Sequence, residues 1–408
     1  MKPEWALIAY LWVCYVLNHA DRQVVYTLFK PLQLEFGLSD ATLGLTGALF
    51  LWIYGLCSPA AGIIGDRFPR PRVVTGSLAI WSLFTFLTGF APNGSILLTL
   101  RGLLGISESL FMPAAYALMA SAHGPASRSR AIAIFGTSQM VGVALGGSLS
   151  GWLAEKYNWR IAFWVLGTAG MLFAIPLWRF LSRVPAAFLR GNTDSRADVS
   201  TFLSLLRIRT LWVVTGFVAI ATFGLYLVYT WLPTFLDDKF SLGTARAGFE
   251  ASIYPQIGTI FGLLVGGTLA DKTYARTHAA RYWIVVFAFF TAGPSVFLLG
   301  SAQALESMRI AAMSFGFFSG FISGNQAASA FDVVPASHRA SAIGMLNLLG
   351  ALVSGFAPFL GGLARRTVGV DQVMIVTGGI YLVAGVLVAL GTLRYFKADH
   401  ARAVETNA

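Results

Sequence analysis

The chain repeats one pattern from end to end: an apolar run of about 20 residues, a short polar break, then another run. Twelve such runs can be read, at roughly 5–30, 38–65, 73–91, 95–121, 129–154, 160–182, 208–235, 247–270, 282–301, 305–331, 340–363 and 372–395. A run of this length crosses hydrocarbon as a helix, because a helix satisfies its own backbone N–H and C=O groups where no water can. Only 12% of residues are charged and 56% are hydrophobic, whereas soluble domains carry about 25% charged residues. A surface this poor in charge needs the bilayer as its solvent. The predicted class is an all-α polytopic membrane protein.

The formal net charge of +11 would suggest nucleic acid in a soluble protein. Here the basic residues are spread over short loops, and topology explains them. Of the 29 Lys and Arg residues, 19 fall on the side that holds the termini and 8 on the other, with Arg22 and Arg101 inside spans. The positive-inside rule then places both termini in the cytoplasm. Cys14 and Cys57 both lie in apolar runs, as packing residues do, and imply no disulfide framework. The first run is too long and too charged for a cleaved signal peptide, so it reads as the first helix of the mature protein.

The longest polar interruption, residues 184–206, separates six runs from six. The expected organisation is a six-helix bundle over 1–183, a cytoplasmic linker over 184–206 and a second bundle over 207–408. Internal repeats support that division. "GIIGDR" at 62–67 returns as "GTLADK" at 267–272, each closing the second run of its half. "PASRSRAIAI" at 125–134 is echoed by "PASHRASAIGM" at 335–345, each joining the fourth and fifth runs. Two related halves place a binding site at their interface, near the bilayer midplane.

These residues resemble the major facilitator superfamily. "GIIGDRFPRPR" is similar to that family's signature between helices two and three, matched at Gly62, Asp66, Arg67, Arg70 and Arg72. "RGLLGISES" resembles its fourth-helix motif with a buried arginine, and "WRIAFWVLG" resembles the start of its sixth helix. The resemblance covers essentially the whole chain and implies the major facilitator fold, twelve helices in two pseudo-symmetric halves. Within the family, "NHADR" at 18–22, with Arg101 and Glu108 seven apart, resembles two groups. These are the organic anion:cation symporters, which include sugar-acid carriers, and the spinster-like carriers of lipid-like molecules.

Charges inside a span cost several kcal/mol unless they pair or meet water. Asp21 lies about eight residues from the outer end of the first run, roughly 12 Å deep, and Arg101 about six residues into the fourth, roughly 9 Å deep. Glu108 lies two turns further along the same face as Arg101. Asp21, Arg22, Arg101 and Glu108 therefore form a balanced set of two acids and two bases, with Asp21 level with Arg101. One reading is a permanent ion pair that holds helices one and four together. The other is a working site. Glu108 and Asp21 then carry protons and Arg22 and Arg101 hold an anion, since a guanidinium fork matches a carboxylate. His19 can either titrate near neutral pH or pack as a hydrogen-bonded core residue. The resemblance supports the working site, because helices one and four line the family's central cavity.

Other polar residues at mid-span depth are Tyr54, Gln139, Tyr226, Tyr229, Tyr254, Gln256, Asn325, Gln326 and Asn347. Each can serve interhelical hydrogen bonding instead of substrate. "GTSQMVG" resembles the symporter pattern and singles out Gln139. The second half thus offers amides and phenols but almost no buried charge, which suits hydroxyl recognition. Asp66, Arg67, Arg70 and the repeated acid Asp271 set topology or, as the resemblance implies, form a cytoplasmic gate. Gly142, Gly146, Gly147 and Gly151 allow close helix approach. Drug/proton antiporters of the superfamily have Pro where Gly147 stands, which argues against a multidrug exporter.

The leading expectation is a secondary active transporter working by alternating access, a proton-coupled symporter of a small organic anion such as a sugar acid. The alternative is a spinster-like proton-coupled carrier of lysolipids or other amphipathic molecules. A polytopic membrane enzyme is the reading from another class, but no His/Cys metal cluster and no paired nucleophile and base are evident. A primary pump is disfavoured because no G-x-x-x-x-G-K-[ST] loop occurs. No cofactor and no metal are expected. The expected partners are an anionic small molecule, protons and the lipid bilayer, with no nucleic acid. The expected state is a monomer in the bacterial cytoplasmic (inner) membrane.

Overall fold

A computed structural model describes residues 3–123, 125–183, 204–274, 276–335, 338–365 and 367–407. Among them the secondary structure is helical throughout. In chain order the helices are α1 (Pro3–Thr27), α2 (Phe29–Phe36), α3 (Asp40–Arg67), α4 (Arg70–Thr88), α5 (Gly94–Ser109), α6 (Phe111–Ala122), α7 (Pro125–Lys156) and α8 (Trp159–Leu181). There follow α9 (Arg209–Phe240), α10 (Gly243–Tyr274), α11 (Ala280–Ser301), α12 (Leu305–Phe331), α13 (Arg339–Arg365), α14 (Val370–Gly391) and α15 (Lys397–Asn407). Every predicted run is covered by helix, with α5 and α6 sharing the fourth. Most of the predicted linker, 184–203, lies outside the described residues.

Among the described residues, nine helical stretches are long and apolar enough on their own to cross a membrane. The helix α1 falls short of that standard because Asn18, His19, Asp21 and Arg22 dilute it. Large apolar side chains such as Leu172, Ile175, Leu387 and Leu390 are exposed, as hydrocarbon-facing residues are.

The helix ends follow from local chemistry. The preceding residue's side-chain oxygen caps α3, α5 and α8: Ser39 Oγ accepts from Thr42 N at 3.1 Å, Asn93 Oδ1 from Ile96 N at 3.0 Å, and Asn158 Oδ1 from Arg160 N at 2.9 Å. Gly37, at φ +63°, closes α2 in the left-handed conformation that L side chains disfavour. The fourth span departs from the uninterrupted helix expected. It breaks at Leu110, because Pro113 has no N–H to give the Ser109 carbonyl four residues earlier. The last span also runs on further than expected, through a π-helical turn at Thr392–Phe396 into the polar helix α15.

By contact the chain forms two compact units. The first comprises 1–193, Tyr229–Ile253 and Pro358–Leu363, and the second Asp194–Val228, Tyr254–Ala357 and Ala364–Ala408. In the first, α1 packs on α7, α3 on α5 and α4 on α8. In the second, α11 packs on both α12 and α14. The third and sixth spans of each half thus pair in the same way, as the internal repeat requires.

Glycines set the closest approaches in the first unit. A Cβ at Gly142 of α7 would sit 2.5 Å from Val16 O of α1, and one at Gly151 would sit 2.6 Å from Thr244 O of α10. The second segment of this unit is also tied by polar contacts. Lys30 Nζ lies 2.8 Å from Asp237 and 3.1 Å from Asp238, Glu155 accepts from the Ala245 N–H at 2.8 Å, and Trp231 Nε1 donates to Pro358 O at 2.9 Å. Gly142→Ala should therefore destabilise by about 1–3 kcal/mol through overpacking. Gly136 on the same helix has open space around its Cβ position. Gly136→Ala should be neutral or stabilising by up to about 1 kcal/mol, as helix propensity dictates. Thermal unfolding of the two variants in detergent checks the pair, and equal melting temperatures would remove the packing role.

Candidate functional site

The helix α1 buries a run of polar side chains from Asn18 to Gln23, interrupted only by Ala20. Asn18 and Arg22 are one turn apart and share a face. Arg22 reaches α5: its Nε donates to Glu108 Oε2 at 2.7 Å, and the Glu108 side chain is 0% exposed. Below the guanidinium lies an aromatic wall from α3. Arg22 Cζ is 4.9 Å from the Phe50 ring centre and 4.8 Å from that of Tyr54, which lies one turn on. Arg101 shares the wall, with Cζ 5.3 Å from Phe50. Two cations over aromatic faces in a dry setting are stabilised by the ring quadrupoles.

Arg101 is buried and donates from Nη1 to the Asp21 backbone carbonyl at 3.3 Å. Among the described residues, its Nε and Nη2 have no hydrogen-bond partner of good geometry, nor do both Asp21 carboxylate oxygens, Glu108 Oε1 and the Asn18 amide, although the Asn18 side chain lies close to the Glu108 carboxylate. Thr85 and Trp81 of α4 are close to the Asp21 carboxylate, yet their own polar atoms also lack partners of good geometry. Buried polar atoms are nearly always satisfied, so this cluster is the candidate site of the first unit.

The pairing differs from the one that depth alone suggested. Asp21 makes no ion pair with Arg101 among the described residues, and Arg22 takes Glu108 instead. Successive residues of a helix point about 100° apart. If Arg22 faces α5, the Asp21 side chain must face elsewhere, and it faces α4. His19 is packed edge-on against Tyr15, ring centres 4.4 Å apart, with Nδ1 3.4 Å from the Tyr15 carbonyl. Gln139 on α7 is half-buried.

In the second unit the expected polar residues do not act alike. Gln256 is buried, and neither atom of its amide has a partner. Asn325 is spent on structure, donating to Phe321 O at 2.8 Å and to Gly266 O of α10 at 3.4 Å. Tyr254 lies under Arg309, 5.4 Å from ring centre to Cζ. Tyr226 and Gln326 are half-buried and Asn347 is exposed.

Of the expected gate, the Asp66 side chain lies outside the described ones. Arg67 is exposed, while Arg70 donates to Ser121 Oγ at 3.1 Å and Ala117 O at 3.3 Å. In the second half, Arg281 bridges Asp271 at 3.3 Å and Asp332 at 2.6 Å, with the Tyr274 ring beneath it. Burial pushes the Asp332 carboxyl above its ordinary value, and the Arg281 guanidinium opposes that rise. Asp271 thus has its cation within its own half.

Sequence reading missed Phe50, Trp81, Thr85, Gln23 and Glu250. Phe50 was the most accessible, being one turn from Tyr54 and so on the same face. Gln23 donates to Tyr229 O at 3.3 Å, and Glu250 is a buried acid one turn from Arg246.

Removing one member of a buried ion pair leaves the other uncompensated and costs about 3–5 kcal/mol, whereas replacing both with apolar residues is often close to neutral. Arg22→Met should therefore lower thermal stability strongly, and Arg22→Met with Glu108→Leu should recover most of the loss. Additive losses in this double-mutant cycle would mean that the two side chains are not coupled.

Residues 11–358 match the Major Facilitator Superfamily. An "MFS-type efflux pump" of Mycolicibacterium smegmatis is 26% identical over 97% of this chain and 94% of its own length. A "Probable L-galactonate transporter" of Escherichia coli is 26% identical over 93% of this chain and 87% of its own. Among solved structures, a bacterial homolog to the human lysosomal transporter Spinster, inward-facing and occupied, superposes with a TM-score of 0.83. It covers 98% of this chain and 99% of its own at 22% identity, which shows the shared fold. Taken with nine helical stretches among the described residues that are long and apolar enough to cross a membrane, and with a buried charge cluster, these likenesses place the chain in the Major Facilitator Superfamily, as an integral membrane transporter and not an enzyme.

Proposed function

We propose that this transporter is a proton-coupled symporter of a small organic anion, a sugar acid or another carboxylate. The observation that carries the reading is the state of Arg101. Its Nε and Nη2 form one straight edge of the guanidinium, and neither has a hydrogen-bond partner among the described residues. That edge is the fork that accepts a carboxylate through two parallel hydrogen bonds. A buried site with this edge beside the Phe50 ring suits a planar anion. The relative named for L-galactonate transport supports the class.

The coupling step follows from the same geometry. Glu108 gives one oxygen to Arg22, and its other oxygen has no partner of good geometry among the described residues, with the Asn18 side chain close by. A proton on Glu108 weakens its hold on Arg22, and a carboxylate on Arg101 adds the negative charge that favours that proton. Anion and proton then tighten each other's binding by the same factor. Asp21 is the second acid of the cluster, and His19 serves as packing. The transporter works as two six-helix bundles, 1–183 and 207–408, in a bacterial inner membrane with both termini cytoplasmic. Asp66, Arg67, Arg70 and Asp271 gate the cytoplasmic side.

Two experiments test this. A thermal-shift screen of galactonate, other carboxylates and lysolipids should find stabilisation by carboxylates, lost in Arg101→Gln; stabilisation by lysolipids alone would favour the amphipathic alternative. In reconstituted vesicles, Glu108→Gln mimics the protonated acid and should keep substrate counterflow while losing accumulation driven by a pH gradient. Undiminished accumulation would move the coupling role to Asp21.

A further inference from the structure

The seam between the first and last spans of each half is built differently in the two halves. In the first half it is closed by the chain itself: Tyr10 of α1 stacks on Phe180 of α8, ring centres 4.4 Å apart and planes at 13°. The offset that relates the internal repeats, 205 to 210 residues, carries Tyr10 to 215–220 and Phe180 to 385–390. No aromatic pair fills that place. Phe217 is the one aromatic in the first window, buried in the trough wall with no aromatic at 385–390 to meet it, and its neighbour Gly216 has nothing within 4 Å of its Cβ position. An open trough of about 530 Å3 runs between α9 and α14. Its size falls within the range of small-molecule sites, about 300–1,000 Å3.

The trough is not part of the polar site. Its walls are apolar, among them Trp212, Gly216, Leu387 and Val388, and Trp212 and Leu387 are 45% and 57% exposed. Only one end is polar. There Arg209 lies against the Tyr395 ring, Cζ to centre 5.6 Å. Arg207 and Arg402 line a second hollow of about 270 Å3, where Arg402 lies 3.8 Å from Asp399. All these residues fall at the end that the distribution of Lys and Arg marks as cytoplasmic. Anionic lipids populate that leaflet, and each basic residue near its surface attracts them. An interfacial Trp and Tyr at the same level suit the headgroup boundary.

We infer that the α9–α14 trough is a binding site for an anionic membrane phospholipid. One acyl chain lies along Gly216 and Val388, and the headgroup phosphate sits at Arg209. The occupant is amphipathic because the trough is apolar with one basic mouth, and it comes from the membrane because the trough opens on an exposed apolar face.

Native mass spectrometry of the purified full chain, reloaded with phosphatidylglycerol or phosphatidylcholine of the same acyl chains, tests the assignment. The wild-type chain should retain phosphatidylglycerol in preference. Gly216→Phe fills the trough and should lose the retained lipid of both kinds. Arg209→Gln, an exposed change, should keep acyl binding and lose about fivefold of the preference for phosphatidylglycerol. Equal retention by the wild-type chain and Gly216→Phe, or an unchanged headgroup preference in Arg209→Gln, overturns the proposal.

Discussion

Taking a guanidinium and a carboxylate out of water costs several kcal/mol per ion, and Arg22 and Glu108 repay that only by meeting each other. Their 2.7 Å contact therefore fixes how α1 sits against α5. The rest of the first unit is arranged around that register. Phe50 and Tyr54 supply the aromatic floor that a desolvated cation needs. Gly142 and Gly146 let α7 close on the other side of α1, where any larger residue would meet the α1 backbone. Rotating α1 by one residue would break all three relations together.

A pair kept only for strength is easily replaced by apolar packing. The surrounding atoms supply the reason for keeping it. Asp21, Arg101, Glu108 and Asn18 all retain unsatisfied polar atoms within a few turns. A network left partly open in a low-dielectric setting responds strongly to any charge or proton that enters it. In a transporter that sensitivity is useful, because binding must alter the balance between conformations.

Depth was legible in the sequence and direction was not. Counting residues from the span ends correctly marked Asp21, Arg22, Arg101 and Glu108 as one group, since helical rise is fixed. It could not say which acid faces which base, because that depends on how α1 is rotated against α4 and α5. The break at Leu110 had a visible cause in Pro113. The continuation of the last span did not, since residues 397–407 are polar and lack the apolar signal that marked the other helices. In the second half, Asn325 and Gln256 read alike in sequence, yet one is spent on a neighbouring carbonyl and the other is left open. Only the position of the adjacent backbone separates them.

The carboxylate of Asp399 accepts from both the backbone N–H and the hydroxyl of Thr210, each at 2.8 Å, and so completes the start of α9 from 189 residues downstream. This has a consequence for biogenesis. Ribosomes add about 5–20 residues per second, so the start of α9 waits roughly 10–40 s for its partner after Thr210 is made. During that interval four unsatisfied N–H groups at the head of α9 face the membrane surface. The seventh span can insert early, but its N-terminal end is finished only once Asp399 has been made.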